Sequence, residues 1–202
     1  MGTLLLAALL AATPVGGKSA RDTAHFFEAE YVLDSSQCSG TAIGPHALLT
    51  VSHCEIPTDE ATVDGHYVKI VRILRDGHDH SIFLLSGVTF PVVATLGEDK
   101  LYEGEHIHFW GHLDGKTRAL YREGTVALLD EFEPDSELKP ATVPHTLIQV
   151  PTGGGDSGSG IFNADEQLIG VLSMSEELGK VKFAGMFNLD FTSVQLDEAR
   201  KF

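Results

Sequence analysis

The chain contains the stretch TLIQVPTGGGDSGSGIF (residues 146–162), in which two apolar runs flank a loop of five glycines. Glycine permits tight turns and lets other chain segments approach closely. A serine on such a turn exposes its hydroxyl while neighbouring N–H groups converge on one point, as in a nucleophile beside an oxyanion hole. A flexible Gly/Ser linker would explain neither the lone Asp156 nor the strand-like runs on both sides. The stretch therefore predicts two strands joined by a loop that presents Ser157 as a candidate nucleophile.

Short apolar runs separated by turn-prone residues continue the same pattern from His25 onward. The predicted strands are Phe26–Phe27, Tyr31–Leu33, Thr41–Ile43, Ala47–Val51, Val68–Leu74, Ser81–Leu85, Val92–Leu96, His106–Trp110, Ala119–Tyr121, Thr125–Leu129, Thr146–Val150, Leu168–Leu172 and Lys182–Phe183. Many short strands with Gly, Pro and Asp in the turns indicate an all-β sandwich or a pair of barrels. Only the last stretch, 192–202, is predicted to be helical, with Val194, Leu196 and Ala199 as its apolar positions.

The polar, turn-rich segment Gly97–Lys100 divides these strands into two groups. We expect one unit at residues 21–97 and a second at 98–202. Residues 1–20 are expected to be a leader, because the apolar run Leu4–Ala12 is too short to span a bilayer and suits a signal peptide. That interpretation predicts a secreted protein. The alternative is a remnant of a membrane segment in a larger precursor, since no Lys or Arg precedes the run and no clean A-x-A site follows it.

Composition limits the partners and the chemistry. The net charge is −15, from 14 basic and 29 acidic residues, which argues against nucleic acid or an anionic membrane as the main partner. The two cysteines, Cys38 and Cys54, exclude a Cys-rich zinc site and a C-x-x-C redox motif. A disulfide between them would close a loop of about 16 residues, contribute about 3 kcal/mol and indicate an oxidising compartment.

Two further residues could complete a catalytic group with Ser157. His53 follows the strand-like run Leu48–Val51 and adjoins Cys54, so a disulfide would hold its loop rigidly. Asp79 stands at the mouth of the apolar run Ser81–Leu85, where a carboxylate can be desolvated and aimed at an imidazole N–H. Asp76 has no such run after it and is expected to be a solvated loop acid.

Four segments, spanning residues 38–174, resemble the chymotrypsin/trypsin-like serine peptidases. They are Cys38–Ile43 with Leu49–Cys54, which resemble C-G-G-x-L-I and L-T-A-A-H-C; Asp79–Phe83, which resembles D-I-A-L-L; Gly155–Ser159, which resembles G-D-S-G-G; and Val171–Met174, which resembles the V-S-W strand. The order His, Asp, Ser is also that of the family. The resemblance implies two six-stranded antiparallel β-barrels followed by a short C-terminal helix.

The resemblance also implies the role of each residue in a serine endopeptidase. Ser157 attacks the scissile carbonyl, His53 transfers the proton, and Asp79 orients His53. The N–H groups of Gly155 and Ser157 form the oxyanion hole. Asp156 matches the acid that receives a freed N-terminal amine, which here would lie near residues 13–15.

Residues of the substrate pocket follow from the same resemblance. Pro151 stands where a trypsin-like enzyme carries an acid, so cleavage after Arg or Lys is not expected. Thr152 resembles the pocket threonine of viral peptidases that cleave after Glu or Gln, but Leu172 stands where those enzymes carry a histidine. The pocket therefore implies a neutral or apolar P1 residue, with Ser173 and Ser175 pairing the substrate backbone as an added strand.

Two departures suggest a compact bacterial or viral variant. Ser159 replaces the second glycine of the motif, and 79 − 53 = 26 residues separate the histidine from the aspartate. A viral polyprotein-processing peptidase, made as part of a viral precursor, and an inactive homologue that serves as a binding module remain alternatives. We expect a monomer that acts on polypeptides.

Five histidines invite a metal-binding interpretation: His78, His80, His106, His108 and His112. His106 and His108 would share one face of a strand. Because no nearby acid pattern completes a ligand set, these residues are expected to be surface histidines, and no metal or cofactor is predicted.

Overall fold

The computed structural model of the protein describes residues 18–19, 29–33, 37–97, 101–113, 119–131, 145–178 and 180–202. These residues form fourteen β-strands and one α-helix. In chain order they are β1 (Lys18–Ser19), β2 (Glu30–Leu33), β3 (Cys38–Gly44), β4 (Ala47–Val51), β5 (Glu60–Val63), β6 (His66–Arg75), β7 (His80–Ser86), β8 (His106–Gly111), β9 (Leu120–Glu131), β10 (His145–Gln149), β11 (Gly160–Phe162), β12 (Leu168–Val171), β13 (Met174–Leu178), β14 (Val181–Phe187) and α1 (Ser193–Lys201).

The first unit is a closed antiparallel barrel with the strand order β2-β3-β4-β7-β6-β5. Every residue of β3 and β4 is buried. Neither strand alternates between buried and exposed residues, because the barrel interior covers one face and another part of the molecule covers the other. β3 and β4 form a hairpin, in which Gly44 pairs with Ala47 across the turn.

The second unit is one sheet with the path β12-β11-β8-β9-β10-β14-β13, and β1 pairs with β9. Its two edge strands, β12 and β13, follow each other in the chain. Between them, Leu172 N–H donates to Ser159 O and Ser173 N–H donates to Gly185 O, so the chain crosses from one edge to the other. The resemblance implied a second closed barrel. The sheet is instead a curled half-barrel: its edge strands β12 and β13 are consecutive in the chain but do not pair with each other.

The all-β class is confirmed, but the prediction of a strand at Val92–Leu96 is wrong. This segment is an extended connection whose hydrogen bonds go to two different units. Ala94 N–H donates to Ala42 O, whereas Thr95 O accepts from Leu168 N–H, leaving one isolated bridge at Leu96. The boundary predicted near Gly97 lies at the end of this connection.

Other strand predictions differ in extent. Leu120 and Tyr121 of the first predicted run and all of Thr125–Leu129 belong to the single long strand β9, while Ala119 precedes it. β5 and β13 were not predicted, because each contains several polar residues and therefore lacks a clear alternation of apolar and polar positions. Phe26–Phe27 and the leader up to residue 17 lie outside the described residues, while Lys18 and Ser19 pair with Tyr121 and Leu120.

The C-terminal helix is confirmed as α1. A capping box begins it: Gln195 N–H donates to the Thr192 hydroxyl at 3.3 Å, and Thr192 N–H donates to Gln195 Oε1 at 2.9 Å. The helix packs on β3 so closely that a Cβ on Gly44 would lie 2.1 Å from Ala199 O. Val194, one of the three apolar positions named for this helix, is 74% exposed. No helix of the described residues is both long and apolar enough to cross a membrane.

Candidate active site

His53 lies on a single 3-10 turn, Ser52–Cys54, directly after β4. Two links hold this turn. Ser52 N–H donates to Asp79 O at 3.0 Å, and the buried disulfide Cys38–Cys54 joins the turn to the first residue of β3. These links hold the backbone of His53 in place. Its side chain is 46% exposed, so the ring remains accessible to solvent.

Both oxygens of Asp79 hold His53. The ring Nδ1 donates to Oδ2 at 2.7 Å, and the backbone N–H of His53 donates to Oδ1 at 3.0 Å. A carboxylate only accepts, so this bond places the ring proton on Nδ1 and leaves Nε2 as the acceptor. The arrangement orients the imidazole for proton transfer through Nε2.

Asp76 also anchors the loop that carries Asp79, and the expectation that it is solvated is wrong. Its side chain is fully buried and paired with Nδ1 of His80, whose side chain is fully buried as well. Burial raises the pKa of Asp76, but hydrogen bonds from the His80 ring and the N–H groups of His78 and Asp190 outweigh it and lower the pKa below its ordinary value. The acid is buried because the C-terminal segment, far away in sequence, closes over the loop.

The glycine-rich loop lies against the first barrel. Ser39 N–H donates to Ser157 O at 2.7 Å, and the Ser39 hydroxyl donates to Gly155 O at 2.8 Å. Gly158 has a φ of +88°, and a Cβ there would lie 2.1 Å from Ser39 O and 2.4 Å from Thr50 Oγ1. Only glycine fits this conformation at this distance. Ser157 and His53 are therefore connected through β3, by Ser39 on one side and the disulfide on the other.

The N–H groups of this loop alternate in their use. Those of Asp156, Gly158 and Ser159 donate to backbone carbonyls at 2.8–3.2 Å. Those of Gly155 and Ser157 donate to no acceptor among the described residues. Gly155 has a φ of 91°, a backbone conformation that residues with a side chain rarely adopt. Two donors are thus available next to the Ser157 side chain.

Asp156 is buried beneath the loop and forms an ion pair with Arg122 of β9. Arg122 was not predicted from the sequence. The two side chains are 0% and 1% exposed, and the Asp156 carboxylate also accepts from Gly153 N–H at 2.8 Å. The guanidinium lies over the ring of Phe109, 4.9 Å from its centroid. The residues expected to supply a freed amine, near 13–15, lie outside the described part of the chain. The cation that the structure gives to Asp156 is Arg122.

A cavity of about 860 Å³ opens beside Ser157. It is lined by Gln149, Val150, Pro151, Thr152, Gly153, Gly154, Ser157, Leu172, Ser173, Met174, Ser175 and Lys182. The five residues predicted for the substrate pocket are all in this set, whereas Gln149, Met174 and Lys182 were not foreseen. No acidic side chain is among these described lining residues.

The expectation of surface histidines is wrong for three of the five, since His80, His108 and His112 are buried. His108 Nε2 lies 3.3 Å from Glu166 Oε2; burial lowers the pKa of His108, and the nearby carboxylate opposes this only in part. In the described residues, the ligand atoms of Cys38, His53 and Cys54 form the one group of three within 4.8 Å of one another. The disulfide occupies both sulfurs, so this group cannot hold a metal.

Comparison with known proteins bears on the fold and on the family of the chain. No curated protein sequence matches the chain. Similar solved structures include the protease Rv3671c of M. tuberculosis H37Rv in an inactive form (15% identity, TM-score 0.68, 86% of this chain and 87% of that one) and the MamO protease domain of Magnetospirillum magneticum (14%, 0.60, 79% and 90%). They also include neuropsin, a serine protease of mouse brain (14%, 0.64, 85% and 93%).

At these identities the similar structures show the fold alone. The sequence match is more specific, because the family model of the trypsin-like peptidase domain matches residues 38–171. This range begins at the disulfide on β3, includes the His53 turn and the Ser157 loop, and ends with β12. The chain therefore belongs to the trypsin-like peptidase domain family.

Proposed function

We propose that the protein is an active serine endopeptidase in which Ser157 is the nucleophile, His53 the general base and Asp79 the residue that orients the base. The observation that carries this proposal is the two-oxygen contact of Asp79 with His53, at 2.7 Å and 3.0 Å. A carboxylate that binds both the ring and the backbone of one histidine fixes the position and the tautomer of the imidazole. A simple surface ion pair between the two side chains would not require the second bond, from the His53 backbone N–H to the carboxylate.

The reaction follows from this arrangement. Nε2 of His53 takes the proton of the Ser157 hydroxyl as Oγ forms a bond to the scissile carbonyl carbon. The protonated ring then gives that proton to the leaving amine as the C–N bond breaks, leaving an ester on Ser157. Water repeats the two steps, transferring its proton through His53 and releasing the acid product. Asp79 stabilises the imidazolium in both halves.

The N–H groups of Gly155 and Ser157, which have no acceptor within the described part of the chain, support the oxyanion assignment. Charge develops on the carbonyl oxygen during attack, and donors that are already in position stabilise it without reorganising. Removal of one such donor typically costs about 3–4 kcal/mol of transition-state stabilisation. The anchoring of this loop by Ser39 and Asp156 keeps both donors in place before substrate binds.

The cavity supports a neutral or apolar P1 residue. A basic side chain would need an acid, and the charged residue among those lining the cavity is Lys182. Thr152 and Leu172 offer one hydroxyl and an apolar surface, without the histidine of enzymes that cleave after Glu or Gln. Ser173 and Ser175 lie along the same cavity, where an extended substrate can pair with the backbone.

We further propose that the protein acts as a monomer in an oxidising, extracellular setting. The buried disulfide beside His53 supports this location, because such bonds persist outside the reducing cytosol. Within a viral precursor, the alternative source, the same chemistry would act on the polypeptide that contains it. Determination of the N-terminus of the protein from its natural source would separate the two, since a signal peptidase leaves a small residue before the cut.

A fluorophosphonate probe tests the proposed activity. The wild type should react covalently with the probe, and Ser157→Ala should not. Ser159→Ala is a matched control two residues away, whose hydroxyl is buried, and it should keep its reactivity. A folded wild type that stays unlabelled both with Met1 retained and after removal of the N-terminal residues would refute the proposal and favour the binding module. A peptide library with varied P1 residues would then test the pocket, where preferred cleavage after Arg or Lys would contradict the pocket assignment.

A further inference from the structure

Glu30 is a buried acid at the contact between the two units. It begins β2 in the first barrel and is 5% exposed. Its Oε1 accepts from the hydroxyl of Thr41, its neighbour across the β2–β3 ladder, and from the N–H of Gly160 at 3.1 Å. Gly160 begins β11, three residues after Ser157. One carboxyl oxygen thus connects the first barrel to the end of the glycine-rich loop that carries Ser157 (the nucleophile loop, residues 153–159).

No opposite charge accompanies this acid among the described residues. The groups that face it from β3, β11 and β12 are the Thr41 hydroxyl, the Gly160 backbone and the Leu168 side chain, all uncharged. Both hydrogen bonds end on Oε1, while Oε2 is buried without a hydrogen-bond partner. The carbonyl oxygen of a neutral carboxylic acid can accept both bonds, whereas an ionised group would leave a charged, buried Oε2 without any donor.

The contact is also closely packed. A Cβ on Gly160 would lie 2.5 Å from Thr41 Oγ1 and 2.8 Å from Glu30 Oε1. Burial raises the pKa of Glu30 well above its ordinary value, and the hydrogen bonds from Thr41 and Gly160 offset this only in part. An ionised Glu30 would be an unpaired anion in a buried interface, which proteins avoid by neutralising the group or by opening the contact.

We propose that Glu30, in its protonated form, is a positioning residue that holds the nucleophile loop against the first barrel, and that loss of its proton opens this contact and lowers the reactivity of Ser157. The part that concerns Ser157 rests on the proposed peptidase function. The protonation and the opening of the contact do not, because they depend only on the fold.

The substitution Glu30→Gln separates charge from shape. The amide oxygen can accept both hydrogen bonds, the NH2 group replaces the protonated oxygen, and the side chain cannot ionise. A group whose pKa is raised by folding contributes its full stability below its unfolded pKa, about 4.3, and loses it as pH rises through the folded value. The Tm of Glu30→Gln relative to wild type should therefore rise as the pH is raised from about 5 to about 9.

Two further measurements follow the contact and the nucleophile. The protection of the Gly160 amide against hydrogen exchange, divided by its intrinsic rate, should fall with rising pH in the wild type and stay constant in Glu30→Gln. The rate of fluorophosphonate labelling should fall on the alkaline side in the wild type and persist in Glu30→Gln. Glu30→Leu, which removes the acceptor, should lose protection and labelling at every pH, if it folds.

The outcomes separate this proposal from the proposed function. Parallel pH profiles of Tm and exchange for the wild type and Glu30→Gln would overturn the proposal, whatever the activity. A difference in both, with identical labelling profiles, would overturn the assignment of Glu30 as a positioning residue. A wild type that never labels would refute the peptidase function and with it the link to Ser157, while Tm and exchange still decide whether Glu30 is protonated and opens the contact.

Discussion

Replacement of Arg122 with methionine should destabilise the protein strongly, because it leaves Asp156 as a buried carboxylate without a cation. Methionine keeps much of the volume that packs against Phe109 but cannot donate a hydrogen bond. Removal of one partner from a buried ion pair costs about 3–5 kcal/mol. Since both side chains are at most 1% exposed, water cannot replace the guanidinium, and we expect the upper part of that range.

The assay is urea unfolding at neutral pH together with thermal unfolding. For a chain of this size each kcal/mol shifts Tm by about 2–4 °C, so a loss of about 4–5 kcal/mol corresponds to about 8–20 °C. The double variant Arg122→Met/Asp156→Asn is the matched control. It removes both charges, so most of the stability should return, and the two substitutions should be far from additive. An Arg122→Met protein within 1 kcal/mol of wild type, or simple additivity, would refute the reasoning.

The same pair has a consequence for activation. Because Arg122 already gives Asp156 its cation, a freed N-terminal amine near residues 13–15 is not needed for that role. Protein that retains Met1 should react with a fluorophosphonate as fast as protein that begins near Gly16. Reactivity that appears only after cleavage would show that the amine, and not Arg122, completes the loop.

Three other substitutions test the site. Asp79→Asn should lower kcat by about 10⁴-fold with the fold intact, because the amide stabilises the wrong imidazole tautomer; a loss below tenfold would contradict the assigned role. Replacing both Cys38 and Cys54 with serine should cost about 3 kcal/mol in urea unfolding and reduce labelling, since the closed loop holds the base, and an unchanged midpoint would contradict this. Gly158→Ala should abolish labelling because its Cβ would lie 2.1 Å from Ser39 O; normal labelling would show that the loop can shift.

The candidate residues that the sequence offers for the site lie in short segments. His53, Asp79 and Ser157 each stand beside a strand whose apolar run is visible in the sequence, and the resemblance of these segments to the serine peptidases selected them as candidates. Arg122 was missed because its partner is 34 residues away. Nothing near Arg122 in the sequence distinguishes it from a surface arginine on a strand.

The errors have a common physical origin in long-range burial. Asp76 and His80 looked like loop residues because the chain that covers them, near Asp190, is 114 residues from Asp76. Val92–Leu96 has the composition of a strand, yet its backbone groups find partners in both units, so no ladder forms. The second unit was expected to close like the first. Leu172 and Ser173, between β12 and β13, instead donate to Ser159 and Gly185 at opposite edges of the sheet, and these two edge strands do not pair.

The position of α1 has a consequence for synthesis on the ribosome. All six strands of the first barrel have been made by Ser86, but the Ala199 backbone that packs against Gly44 of β3 is made much later. Because α1 follows both sheets in the chain, at 5–20 residues per second it emerges about 5–20 s after β7. During that interval the nascent barrel has all its strands but lacks the helix that packs against β3. An arrested nascent chain that lacks α1 should be digested by an added protease more readily than one that includes it.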